Sequence, residues 1–146
     1  MISKDSVILK QRRNIRRLNT DRITRQAVKA NTDTIVQLNR DQMRGSMSGD
    51  GLLPEYSQLS LSLKDFDNYK GIFPRFDLYD TGSFQDKMFM SVQGNDWLIS
   101  SRDSKTDDLV MRLGDEIFEL NPNSLQVAQQ VVTKDWNKLI HEAINK

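Results

Sequence analysis

The spacing of apolar and polar residues changes several times along this 146-residue chain, and each change predicts an element. From Ile23 the stripe positions Ala27, Ala30, Thr34 and Leu38 recur every three or four residues, with Val28 and Ile35 widening the face. That spacing predicts an amphipathic helix from Thr20, its N-cap, to about Met43, stopped at Gly45. Ser46, Ser48, Gly49, Asp50, Gly51 and Pro54 then predict a loop without regular structure. Between Tyr56 and Leu63 the leucines Leu59, Leu61 and Leu63 alternate with Gln58, Ser60 and Ser62, a period of two that predicts an edge strand or an extended arm. Asp65 to Pro74 reads as loop.

The stretch from Phe76 to Leu120 organises the rest. Its apolar runs Met88 to Val92 and Trp97 to Ile99 flank Gly94-Asn95-Asp96, residues that tolerate the positive φ of a tight turn, so a β-hairpin is predicted there as the sheet core. Thr106, Asp107 and Asp108 suit the start of a short helix carrying Leu109, Val110 and Leu113 and ending at Gly114. Ile117, Phe118 and Leu120 form a brief apolar segment before the Asn121-Pro122-Asn123 turn. Ser124 is the predicted cap of a last helix, whose stripe is Leu125, Ala128, Val132, Trp136, Leu139, Ile140 and Ala143, widened by Val131. Together these elements predict an α+β fold. An N-terminal amphipathic helix and a C-terminal helix pack on a small antiparallel sheet, as one domain over residues 20–146.

Charge adds a separate N-terminal feature. Residues 1–30 hold nine basic side chains against Asp5 and Asp21, a balance of 9 − 2 = +7, and the whole chain sums to +1, leaving −6 for the rest. Arg12, Arg13, Arg16 and Arg17 repeat at the spacing of one helical stripe, with Lys10 near it and Ile8, Ile15 and Leu18 on a weak apolar face. Residues 1–19 are therefore predicted to be a partly helical basic arm that binds a partner through Lys10, Arg12, Arg13, Arg16 and Arg17, because arginine forks suit carboxylate and phosphate alike. A basic head on an acidic body can attract nucleic acid or the acidic face of a neighbouring copy.

The absence of cysteine removes disulfides and thiolate metal sites from consideration. No apolar run reaches the roughly 18 residues that cross a bilayer, and the N-terminus lacks a secretory apolar core, which predicts a soluble chain without a membrane partner. A lone His141 and scattered carboxylates predict no metal, and no glycine-rich phosphate loop suggests a cofactor.

Two clusters could carry chemistry. Asp80-Thr81-Gly82-Ser83 matches the tetrapeptide of aspartic proteases, in which two such carboxylates share a proton. A single copy would need a homodimer, and Tyr79 before it and Phe-Gln-Asp-Lys after it do not suit a buried catalytic loop, so a glycine-dependent structural turn at Asp80, Thr81 and Gly82 is the preferred reading. Ser101-Arg102-Asp103-Ser104-Lys105 reads in the same way, as a turn in which Asp103 binds backbone amides and Lys105 makes a surface pair. Neither cluster is read as catalytic, and the chain is not expected to be an enzyme.

Several short segments carry a family resemblance. They are Ala27-Val28 with Asn31, Ile35-Val36-Gln37-Leu38-Asn39 with Gln42-Met43, Tyr56-Ser57, Asp77 to Phe84, Ile99 to Lys105, and Gly114 to Asn121. In this order they resemble the small virion morphogenesis proteins of tailed bacteriophages, of the tail-completion or head-tail connector (neck) type. The match covers roughly residues 25 to 125, leaving the basic head outside it, and Glu119 stands where the family often has Gly. The resemblance implies an α+β structural protein that assembles in the host cytoplasm into a homo-oligomeric ring at the head-tail junction of the virion. Its partners there would be portal or adaptor and tail proteins, with DNA passing through the ring. The readings carried beside it are a nucleic-acid-binding protein using the basic arm and a dimeric aspartic protease through Asp80.

Overall fold

The computed structural model describes residues 4–94 and 96–146. Its elements are α1 (Lys4–Arg16), α2 (Thr20–Ala30), α3 (Thr32–Arg44), β1 (Met47–Ser48), β2 (Gly51–Leu52), α4 (Gln58–Leu63), α5 (Ser83–Asp86), β3 (Met88–Gln93), β4 (Asp96–Ser101), α6 (Thr106–Leu113) and α7 (Pro122–Ile144), with a 3-10 turn at Asp115–Phe118. The fold is α+β, with helices packed on a small antiparallel sheet. Among the described residues no helix is long and apolar enough to cross a membrane.

The chain forms two compact units. In the first, α1 and α2 come together with Gln129–Lys146. Arm residues expected to be only partly helical form a helix held to the end of α7: Gln11 donates to Asn145 Oδ1 and Asn14 to the carbonyl of Ile144, each at 2.9 Å. The cap of α2 is Asn19 rather than Thr20, because the Asn19 side chain accepts from the Arg22 amide at 3.0 Å. The predicted 20–43 helix is two helices, broken at Asn31, whose side chain donates to Ala27 O and to Asp135 Oδ2 at 2.8 Å each. Trp136 donates to Thr24 Oγ1 at 3.2 Å, and like Val132, Leu139 and Ile140 it is half-buried, so this stripe is partly covered rather than core.

The second unit is Thr32–Ala128. Its core joins Val36 and Met43 of α3, Leu53, Leu78, Phe84 of α5, Met88 of β3 and Ile117, with Met90, Ile99, Leu109 and Val110 packed against them. The hairpin forms as predicted, in register Met88↔Ser101 through Gln93↔Asp96; the expected turn residue Asn95 lies outside the described residues. The 46–54 loop contains the two-residue ribbon β1–β2. Residues 58–63 are helix α4 and not a strand, because Ser57 caps them, its hydroxyl accepting from the Ser60 amide at 3.1 Å. Leu59 and Leu63 are 71% and 78% exposed, so their alternation never served burial.

Two other predicted caps move. At α6 no side chain caps the helix; the Thr106 hydroxyl turns back to donate to Ser101 O. At α7 the cap is Asn121, which accepts from the Ser124 amide at 2.9 Å, and Ser124 lies inside the helix.

A buried polar clamp ties α3 to the segment before α7. Asn39 donates to the carbonyls of Ile117 and Glu119, Gln42 donates to Glu119 O, and the Asn121 amide donates back to Gln42 Oε1 at 3.0 Å. Asn39 is fully buried, and its side-chain NH2 finds acceptors inside the protein, which offsets part of a desolvation cost of about 1–3 kcal/mol, while its Oδ1 has no hydrogen-bond partner among the described residues. Their contacts show that these residues shape the fold.

Candidate functional site

The two sequence clusters meet in the second unit. Gly82 adopts φ +87°, the left-handed region, and starts α5, where the Ser83 hydroxyl points at the 101–105 turn and donates to Asp103 Oδ2 at 2.6 Å. Asp103 Oδ1 accepts from the Lys105 amide at 2.9 Å, which is the expected turn bond, and Oδ2 lies 3.5 Å from the Lys87 ammonium. The Ser83 hydroxyl first, and the Lys105 amide next, hold the Asp103 carboxyl below its ordinary range. A carboxylate stabilised in its charged form by these donors is a weaker base than a free one.

Lys105 makes the surface pair expected of it, and its partner is Asp80, at 3.3 Å. Asp80 is 73% exposed at the side chain and faces an ammonium rather than a second carboxylate. Within the single chain this is the geometry of a surface ion pair. The Thr81 hydroxyl accepts from the Ser83 amide at 3.3 Å, completing the turn.

Beside this joint lies a recess of about 300 Å³, walled by Tyr56, Phe76, Leu78 and Phe84, with Lys64 and Lys105 among its cations. Lys64 is almost fully buried, pairs with Asp77 at 2.7 Å and also donates to the carbonyl of Tyr79. Asp77 Oδ1 further accepts from the Tyr56 hydroxyl at 2.9 Å and the Tyr79 amide at 3.2 Å. Burial, reinforced by the Asp77 charge, pushes the Tyr56 hydroxyl well above its ordinary value. With its buried cation neutralised and the Tyr56 hydroxyl held on Asp77, the recess is braced. Sequence reasoning gave Lys64, Asp77 and Tyr56 no place in a site; the one available signal was a lysine directly after the alternating leucines.

Gln85 is a second hub that sequence reasoning missed. Fully buried, it donates to the carbonyls of Asp77 and Leu78, and it accepts from Arg44 at its side-chain oxygen and from Arg40 at its carbonyl, each at 2.7 Å. Arg44 also stacks over Tyr79, 4.7 Å from the ring centre. The basic residues of α3 are thus consumed in holding α5.

The basic residues toward the end of α1, and Arg17 just after it, are not consumed in this way. Lys10, Arg12, Arg13, Arg16 and Arg17 are all exposed, and none makes an ion pair among the described residues. Val7, Ile8, Leu9 and Ile15 on the same helix are exposed as well. The structure therefore separates the predicted site residues into two kinds: Asp80, Thr81, Gly82, Asp103 and Lys105 form one joint within the second unit, and Lys10, Arg12, Arg13, Arg16 and Arg17 are exposed. No family model matches the chain, and no curated protein or solved structure shows significant similarity to it.

Proposed function

We propose that the chain is a structural virion protein of a tailed bacteriophage that forms a ring at the head-tail junction and joins portal to tail. One observation carries the reading: α1 and Arg17 just after it present five cations without ion-pair partners among the described residues, next to four exposed apolar side chains of α1. A helix surface both charged and apolar gains by docking, since burying the apolar part is favourable and the cations find counter-charges. Support also comes from the resemblance, whose residues Asn39, Gln42 and Asn121 meet in the buried clamp. No catalytic step, cofactor or metal belongs to this reading.

The same cations favour a second reading, in which α1 lies along nucleic acid. The two differ on deletion of residues 2–19. A connector lacking α1 leaves unjoined heads and tails in complementation experiments scored by electron microscopy, while its second unit melts nearly unchanged. Normal yields of joined, infectious particles would overturn the connector reading, and a steep salt-dependent affinity of the intact chain for duplex of any sequence would favour the nucleic-acid reading.

A further inference from the structure

The second unit has a groove whose chemistry mirrors that of α1. It runs along β4 and α6, with an apolar floor that includes Trp97, Leu98 and Phe118. Its polar margin is acidic: Asp107, Asp115 and Glu119 line it, and no lysine or arginine does. All three carboxylates are exposed, and none makes an ion pair within the described chain. Trp97 and Leu98 are 42% and 54% exposed, so a large indole and a leucine stand in water beside three uncompensated negative charges. Among the described residues no group of three acidic or histidine side chains converges tightly enough to hold a metal ion, which makes a cation-binding role a poor account of the cluster.

We propose that this groove is the seat for α1 of a second copy of the chain. The inference rests on the ring reading above and names the surface through which successive copies would join. Three observations favour a second copy as the occupant. The charges are opposite: four exposed cations on α1, with Arg17 just after it, against three exposed carboxylates in the groove. Both surfaces add exposed apolar side chains to bury, Ile8, Leu9 and Ile15 on one and Trp97 and Leu98 on the other. The lengths agree, because the 13 residues of α1 rise about 20 Å at 1.5 Å per residue and the 6 residues of β4 extend about 20 Å at 3.3 Å per residue. The two surfaces are different parts of the chain, so their contact is head-to-tail. Repetition of such a contact closes into a ring when the rotation allows.

The test reverses the charges separately and then mixes the products, all as full-length chains. One variant carries Arg12→Glu, Arg13→Glu and Arg16→Glu; the other carries Asp107→Lys, Asp115→Lys and Glu119→Lys. Circular dichroism and a thermal melt establish that each folds. Sedimentation at about 0.15 M salt, where charges interact over roughly 8 Å, reads the association. Each variant alone is expected to associate at least about tenfold more weakly than the unaltered chain, and the one-to-one mixture to recover assembly because reversed arm meets reversed groove. The milder set Asp107→Asn, Asp115→Asn and Glu119→Gln should weaken association without reversal and serves if the lysine variant does not fold. Association of the unaltered chain that survives both groove sets overturns this inference and leaves the ring reading standing. Failure of the mixture to recover also overturns it. An unaltered chain that stays monomeric at every concentration, or groove variants that associate normally while the arm variant loses only duplex binding, overturns it as well; the monomeric result removes the ring reading with it.

Discussion

Ser83 and Asp103 lie 20 residues apart in the chain, and a 2.6 Å hydrogen bond joins them. This contact locks the turn that opens α5 to the turn that opens α6. It works only while Asp103 is ionised, since both of its oxygens serve as acceptors.

Acid should therefore loosen the joint. The Asp103 carboxyl lies below its unfolded value of 3.8, so its contribution is fully present above that value and is lost as the pH falls through the lower, folded value. Thermal melts of the intact chain and of Asp103→Asn are expected to differ most near neutral pH and to converge in strong acid. A constant difference across that range would contradict the role given to this carboxylate.

Gly82 sits at φ +87°, and a Cβ there would come within 3.1–3.3 Å of the Tyr79 ring. Gly82→Val should lower stability by about 1 kcal/mol or more, because a β-branched residue is strained in the left-handed region and the ring must shift. The denaturant midpoint of the variant checks this, and an unchanged midpoint would show that the turn tolerates a side chain.

The Lys64–Asp77 pair is 7% and 1% exposed at its side chains. Removing only the cation, as in Lys64→Met, leaves a buried carboxylate without its counter-charge and should cost about 3–5 kcal/mol. Urea unfolding at neutral pH measures it. A cost below about 1 kcal/mol, the scale of an exposed pair, would mean that water reaches Asp77.

Trp136 is half-buried, with its indole N–H on Thr24. Trp136→Ala should cost about 2 kcal/mol, less than the roughly 3–5 kcal/mol of a fully enclosed Trp. In a Trp97→Phe background, emission should fall between that of a buried and that of a hydrated indole. Emission of a fully hydrated indole would contradict the packing described.

What the sequence made legible was local. The hairpin and α6 announced themselves because their apolar runs and the glycines at 94 and 114 sit within a few residues of each other. The 58–63 segment misled because Leu59, Leu61 and Leu63 satisfy a period of two while Ser57 supplies a helix cap, and exposed leucines do not obey a burial pattern. The Asn31 break was hidden by a stripe that continues through Ile35, and the Asp135 carboxylate that binds the Asn31 side chain there lies 104 residues away. The same distance problem concealed the clamp between Gln42 and Asn121 and the buried pair of Lys64 and Asp77. Asp103 and Lys105 were placed correctly as turn and surface-pair residues, since half of that arrangement is a bond between near neighbours. The α1 cations were legible as a stripe, because helical spacing is written directly in residue order.

The central claim is a position in an assembled particle, and electron microscopy of virions carrying this chain with a C-terminal gold-binding tag tests it most directly. Label gathered at the junction between head and tail, in a ring, is the result the account predicts. Label on the capsid shell, along the tail shaft, or absent from purified virions would contradict it.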